Sequence, residues 1–261
     1  MTHSERRIWL IDYLRNEAGE KDDMKIPLDE QKQKDMLRAF MNVREPKPIS
    51  DEFIRIQDEY LSTENENAGI TDVEDLTPFG KDERIILWQG DITTLRADAI
   101  VNAANSQMLG CFIPLHNCID NAIHSKSGVQ LRLKCKELMD KQGYEEPVGG
   151  AKITPGYNLP CEYIIHTVGP MVSDELEDEH KEQLARSYRT CLEVADIYEL
   201  KSIVFCCIST GVFGFPNKEA AKIAVSTVRD YLKNTKTTLE KVVFNVFKDE
   251  DREIYTYLLG R

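Results

Sequence analysis

From Arg84 onward the chain alternates short runs of β-branched and aliphatic residues with longer amphipathic stretches. This alternation constrains the fold more than any other feature, because it calls for strands covered by helices in an α/β sandwich. Strands are expected at 85–89, 99–102, 151–155, 163–168, 202–208 and 241–246. Most of these runs are continuously apolar, as suits a sheet buried on both faces. Helices are expected at 118–142, 175–198, 216–234 and 250–259. There is no internal repeat and no low-complexity tract.

The first eighty residues read differently, being rich in charge and poor in glycine. Three apolar stripes at helical spacing fall on Ile8, Leu10, Ile11 and Leu14, on Met36, Leu37, Phe40 and Met41, and on Phe53, Ile54 and Tyr60. Pro46, Pro48 and Ser50 punctuate the last two, with Ser50 placed as an N-cap. Residues 1–80 are therefore expected to form a helical extension ahead of a domain at 81–261. A lid or partner-docking element is one reading of the extension; the preferred one is a helical layer packed on the main domain. Residues 61–83 are polar enough to be a surface connection.

A length of 261 residues suits one large domain, or a domain with a smaller appendage. The 33 Lys and Arg against 45 Asp and Glu leave a net charge of −12, which disfavours charge-driven binding to nucleic acid or anionic membrane. The opening residues place charges on both sides of a short apolar group. That pattern fits neither a secretory signal nor a membrane span, so the chain is expected to be cytoplasmic. Seven dispersed cysteines, with Cys206 and Cys207 adjacent, do not make a disulfide framework. Cys206 and Cys207 fall in an expected strand, Cys135 and Cys191 in helices, and Cys161 ahead of a strand, where a thiol serves as filler.

Cys111, His116 and Cys118 are different, standing within eight residues just after a strand that ends in the polar turn Asn102 to Ser106. Two thiolates and an imidazole are the three protein ligands of a catalytic zinc site that keeps a fourth position open. Such short spacing also suits a redox-sensitive pair. Ligands in open parallel sheets collect beyond the carboxyl ends of the strands, so the other strand-end loops matter too. Asp91, within Gly90-Asp91-Ile92, can accept from an amino group such as that of adenine, or can simply cap a turn. Ser209, Thr210, Gly211, Val212, Phe213, Gly214 and Phe215 lead through Pro216 into a helical pattern. Glycines and a following helix N-terminus can present N–H groups to an anion there, and a tight turn is the plain alternative. Neither the Lys-Ser/Thr ending of a nucleoside triphosphatase loop nor the dinucleotide-binding glycine spacing is present.

Five segments taken together resemble a macrodomain: 101–105 (VNAAN), 119–124 (IDNAIH), 149–151 (GGA), 165–170 (IHTVGP) and 209–216 (STGVFGFP). The resemblance runs in order from about residue 85 to near the C-terminus and leaves out the first eighty residues. It implies a three-layer α/β/α fold with a mixed, mostly parallel central sheet. The chain departs from the common macrodomain pattern at 110–118, where GCFIPLHNC replaces a glycine-rich loop. There it resembles the zinc-containing microbial macrodomains, which also carry an N-terminal helical extension and are similar to enzymes that remove ADP-ribose from proteins.

The resemblance implies zinc on Cys111, His116 and Cys118, adenine at Asp91 and the backbone of Ile92, and the diphosphate at 209–215. It further implies Phe247 stacking on adenine, Asn105 at the distal ribose and Asp120 at the scissile end, the last two being the expected catalytic residues. His124, one turn beyond Asp120, is assigned a structural role. Cleavage at the anomeric carbon passes through an oxocarbenium-like state that needs a positioned water and nearby negative charge, which Asp120 can supply. Zinc can bind a ribose hydroxyl, polarise the acyl group or lower the pKa of a bound water. The expected function is hydrolytic release of ADP-ribose from mono-ADP-ribosylated protein through an ester-type linkage to an acidic side chain. The alternatives are deacetylation of O-acetyl-ADP-ribose and ADP-ribose binding without cleavage. RNA binding is disfavoured by the acidic balance.

Overall fold

A computed structural model describes residues 1–19 and 25–260. Three helices come first: α1 (His3–Ala18), α2 (Glu30–Val43) and α3 (Asp51–Asn67). Each has a side-chain N-cap: Thr2 in a capping box with Glu5, then Asp29, then the expected Ser50, whose hydroxyl accepts from Phe53 N at 3.2 Å. Their apolar stripes close on one another in a small core of Leu10, Ile11, Leu37, Phe53 and Ile56. Val129 of the main domain completes that core, so the helices pack as a layer on the rest of the chain. The expected surface connection over 61–83 is shorter than the sequence suggested, because α3 runs on to Asn67. Buried Leu61 broadens the stripe beside Tyr60, and buried Asn65 carries the inward face one turn further.

The remaining elements are β1 (Thr71–Asp72), β2 (Ile85–Gln89), β3 (Leu95–Arg96), β4 (Ala99–Ala104), α4 (Ile119–Ser127), α5 (Val129–Gln142), β5 (Ala151–Pro155), β6 (Tyr163–Val168), α6 (Asp178–Ile197), β7 (Ser202–Phe205), α7 (Asn217–Asn234), β8 (Lys241–Val246) and α8 (Asp249–Leu259). Six strands form one sheet in the order β2-β8-β7-β4-β6-β5, parallel throughout except for the edge strand β5, which runs antiparallel to β6. Helices α6, α7 and α8 pack with one another against the sheet, while α4 and α5 pack together with β4 and β5 and carry the N-terminal layer outside them. The mixed, mostly parallel α/β/α sandwich is the expected fold. β1 and β3 pair in a separate two-stranded piece that sequence patterning did not suggest, being two residues long each.

Two boundaries differ for physical reasons. The single helix expected over 118–142 is broken at Gly128, whose φ of 106° lies where side chains are strained. A Cβ there would fall 2.6 Å from Gln57 Nε2, and the break lets Gln57 of α3 cap the new helix by accepting from Val129 N at 2.9 Å. The strand expected over 202–208 ends at Phe205, so Cys206 and Cys207 lie just beyond it, where the chain turns into a loop. Because the five parallel strands run the same way, their carboxyl ends bring Asp91, Asn105, the 209–215 loop and Phe247 to one edge of the sheet.

Candidate active site

The segment between β4 and α4 carries the candidate metal-ligand cluster. Donor atoms of Cys111, His116 and Cys118 lie within 4.8 Å of one another, and all three residues are half-buried. Cys111 Sγ stands 3.5 Å from His116 Nδ1. Cys118 is the N-cap of α4 and its sulfur accepts from Asn121 N at 3.4 Å. Burial pushes the Cys118 thiol up to about 11, and the neighbouring Cys111 and Asp120 act in the same direction. A bound cation would reverse that balance and favour the thiolate. The donor set, its convergence and its access to solvent fit a three-ligand zinc centre.

The loop is held mainly from outside itself. Asn121, fully buried on α4, donates through Nδ2 to Ile113 O at 3.0 Å. Arg132 of α5 is buried and spreads its guanidinium over the carbonyls of Leu109 (2.7 Å), Cys111 (3.4 Å), Met41 (3.2 Å), Asn42 (2.8 Å) and Arg44 (2.6 Å). The ring of Phe112 covers the same guanidinium at 4.1 Å. Leu115 adopts a φ of 56°, a left-handed conformation that costs a non-glycine residue roughly 1–3 kcal/mol.

Beneath the loop lies a buried polar network. β4 and β6 pair Asn102 with His166, placing both side chains on one face. Asn102 Nδ2 lies 2.8 Å from Asp120 Oδ1 and 3.0 Å from His166 Nδ1, while His166 Nε2 meets Thr154 Oγ1 at 2.9 Å. Asp120, the second residue of α4, is 5% exposed, and burial pushes its carboxyl up to about 6 against the opposing pull of Asn102 and Arg132. Among the described residues, its Oδ2 takes no hydrogen bond. His124 is buried 3.5 Å from Asp120, and its ring is held neutral by desolvation and by the nearby His166. His124, Cys135 and His166 also bring donor atoms within 4.8 Å of one another. There both His166 nitrogens already lie within hydrogen-bond distance of Asn102 and Thr154, so His166 is tied into the polar network.

The other expected residues ring this centre at the strand ends. Asn105 makes an Asx turn, accepting from Gln107 N at 3.0 Å, and is half-buried. Asp91 caps a short 3-10 turn through Thr93 N at 3.0 Å and pairs with Lys126 at 3.0 Å. Burial raises its carboxyl, but the Thr93 hydrogen bonds and Lys126 outweigh that and hold it below the ordinary range. Ile92, beside it, is buried. The 209–215 loop is braced by its own backbone, with Phe215 N donating to Ser209 O at 3.0 Å and Gly214 N to Gly211 O at 3.1 Å. Among the described residues the amides of Gly211, Val212 and Phe213 have no partner, and Thr210 Oγ1 turns back to Cys207 O at 3.0 Å. The loop runs into the N-terminus of α7 through Pro216, which offers no side-chain cap. An anion at this edge therefore meets unpaired N–H groups and the positive end of a helix. Phe247 is 75% exposed directly after β8, an aromatic ring left in solvent at the same edge.

Residues 101–224 match the family described as Macro domain. Over the full length the chain is 52% identical to a protein-ADP-ribose hydrolase of Treponema medium, across 263 aligned residues that cover 100% of both proteins. The chain belongs to the macrodomain family. This macrodomain is also 50% identical to a protein-ADP-ribose hydrolase of Staphylococcus aureus, over 97% of the chain and 94% of that protein. Among solved structures it is similar to a Trypanosoma brucei macrodomain in complex with ADP-ribose, at 29% identity and a TM-score of 0.66 over 85% of this chain and 95% of that one. It is likewise similar to an Oceanobacillus iheyensis macrodomain with ADP, at 39% identity and a TM-score of 0.60 over 67% of this chain and 89% of that one. Among the described residues, no helix of the macrodomain is long and apolar enough to cross a membrane.

Sequence reasoning missed Asn121 and Arg132 at the metal-ligand loop. Asn121 lies inside one of the family motifs, but nothing in its spacing says which carbonyl it will hold. Arg132 sits among helix-forming residues, where an arginine usually faces solvent.

Proposed function

We propose that the protein is a hydrolase that releases ADP-ribose from mono-ADP-ribosylated protein, acting at an ester-type linkage to an acidic side chain with zinc held by Cys111, His116 and Cys118. The observation that carries this reading is the convergence of those three donors beside Asp120, in a chain 52% identical over its whole length to a protein-ADP-ribose hydrolase. In this reading Asp91 and the Ile92 backbone receive adenine, and Phe247 stacks on it. The unpaired amides of Gly211, Val212 and Phe213 receive the diphosphate. Asn105 orients the distal ribose.

Asp120 stands where negative charge is useful, since departure of the acyl group leaves positive charge on the ribose anomeric centre. Asn102 holds its Oδ1, and in this reading Oδ2 is the oxygen left for the reaction. Burial raises its affinity for a proton, which suits a group that alternately stabilises charge and accepts a proton from water. When bound, zinc supplies Lewis-acid chemistry at the ribose or acyl oxygens.

The test is release of ADP-ribose from a glutamate-modified protein, comparing the zinc-loaded protein with Cys118→Ala, with metal content and thermal melt read on the same samples. Loss of both zinc and turnover in a folded variant is the expected outcome. Full turnover without zinc would leave the cluster a structural feature. Absence of turnover in both samples, with ADP-ribose still bound, would make the protein an ADP-ribose reader, and turnover of O-acetyl-ADP-ribose alone would make it a deacetylase.

A further inference from the structure

The N-terminal layer touches the metal-ligand loop through two side chains one turn apart on α2. Arg38 Nη2 donates to the carbonyl of His116 at 2.9 Å and to Asn121 Oδ1 at 2.7 Å, and Arg38 Nε reaches the same Oδ1 at 3.2 Å. One guanidinium therefore holds the backbone of a ligand residue and also the side chain of Asn121, whose amide meets Cys118 Sγ at 3.4 Å. Asn42, 1% exposed, accepts from Leu115 N at 3.0 Å and donates to Ser125 Oγ of α4 at 2.9 Å. Leu115 immediately precedes His116 and carries the left-handed φ of 56°. Its conformation is therefore tied to α4 through a residue of the helical extension.

We infer that Arg38 and Asn42 are positioning residues that make the N-terminal helical layer a working part of the active site, setting the spacing of the Cys111, His116 and Cys118 donors. Loop residues 112–117 contribute one backbone hydrogen bond of their own, His116 N to Ile113 O at 3.3 Å, so the geometry of the donors depends on what is packed outside them. A metal site whose ligands are oriented from outside loses affinity when that support is removed. The metal half of the inference rests on the zinc reading above; the statement about loop order does not.

The test uses the full chain, with Arg38→Ala, Asn42→Ala and the milder Arg38→Lys. Amide hydrogen exchange over 111–118 is followed in chelator-stripped protein, and zinc affinity by competition with a chromophoric chelator. Thermal melts and ADP-ribose affinity serve as controls. In Arg38→Ala and Asn42→Ala the loop amides, Leu115 first, exchange faster while the sheet stays protected. Zinc affinity falls by about tenfold or more, the range seen when support of metal ligands is removed. Arg38→Lys falls between wild type and Arg38→Ala, because an ammonium cannot span both acceptors as the planar fork does. ADP-ribose affinity stays within about threefold, a difference well under 1 kcal/mol.

Unchanged exchange in folded Arg38→Ala and Asn42→Ala overturns the inference, as does zinc affinity equal to wild type in both. A wild-type protein that takes up no zinc would remove the metal reading alone. Positioning by α2 would then be decided by the exchange of the loop amides. Should Arg38→Ala fail to fold, Arg38→Lys and Asn42→Ala carry the same comparison.

Discussion

Two loops leave the carboxyl ends of neighbouring parallel strands, one held by backbone hydrogen bonds and the other mainly by side chains from other elements. The 209–215 loop after β7 is held by backbone bonds, from Phe215 to Ser209 and from Gly214 to Gly211 within it and from Val172 to Phe213 O from the segment after β6. The 110–118 segment after β4 depends instead on Arg38, Asn42, Asn121 and Arg132, two of them from the N-terminal layer. An anion site made of backbone amides needs only a turn of the right shape, which seven residues with two glycines can make locally. A site made of side-chain donors needs three side chains fixed relative to one another, and a short irregular loop cannot do that without outside support.

The strongest way to break this contrast is Arg132→Ala, which orphans carbonyls on both the loop and the C-terminal end of α2. A loss of roughly 3–5 kcal/mol is expected, since buried carbonyls lose a charged donor. Urea unfolding monitored by circular dichroism measures it. A loss below about 1 kcal/mol would mean that water takes over the role and that the loop is less dependent than argued.

The backbone-held loop is broken by Gly214→Ala. Gly214 has a φ of 69° and a Cβ there would lie 2.8 Å from Val172 O, so a strain of about 1–3 kcal/mol is expected. Titration calorimetry should show ADP-ribose binding weakened about tenfold, with zinc content unchanged. A parallel loss of zinc would show that the two loops are coupled.

The network beneath the metal-ligand loop is sharpened by pH. Burial depresses His166 from 6.5 to about 3, so between those values the unfolded chain binds more protons than the folded one. Its contribution to stability is full above pH 6.5 and is lost as pH falls toward 3, at up to about 1.4 kcal/mol per pH unit. His166→Gln should flatten the dependence of urea midpoints between pH 7 and pH 5 without abolishing it, because His124 is depressed in the same direction. An unchanged slope would assign the acid sensitivity elsewhere. The smallest effect belongs to Phe247→Ala. This exposed ring should contribute about 1 kcal/mol of stacking to ADP-ribose affinity, roughly fivefold, and leave the melting temperature unmoved.

The gathering of the proposed site residues at one edge of the sheet was legible in the sequence because they sit in short motifs attached to strand ends, while the roles proposed for them came from the macrodomain resemblance. Asn105, Asp120, the three donors and the 209–215 loop each follow a recognisable apolar run, and parallel strands must gather their ends. Asp91 was legible as a residue to inspect, and its capping bond to Thr93 is the turn role weighed at the outset. The break at Gly128 was not legible, because the helical pattern is continuous across 118–142 and the glycine alone is a weak signal. The φ of 106°, adopted where the chain turns between the two helices, is what favours glycine there.

What the sequence determined by itself was the succession of the six main-sheet strands and the helices between them, short of the break at Gly128, together with the amphipathic N-terminal layer and the chemical types at each strand end, all of which follow from local periodicity and side-chain chemistry. Only the tertiary structure decided what those chemical types do. Burial turned Asp120 from a surface carboxylate into one with a raised proton affinity, against the opposing pull of Asn102 and Arg132. Packing of α2 against α4 brought Arg38 and Asn42, two polar residues beside a helical stripe, into hydrogen-bond contact with the 110–118 loop. The physical reason is that hydrogen-bond partners far apart in sequence, here 83 residues for Arg38 and Asn121, are chosen by how layers stack. No local pattern records that choice.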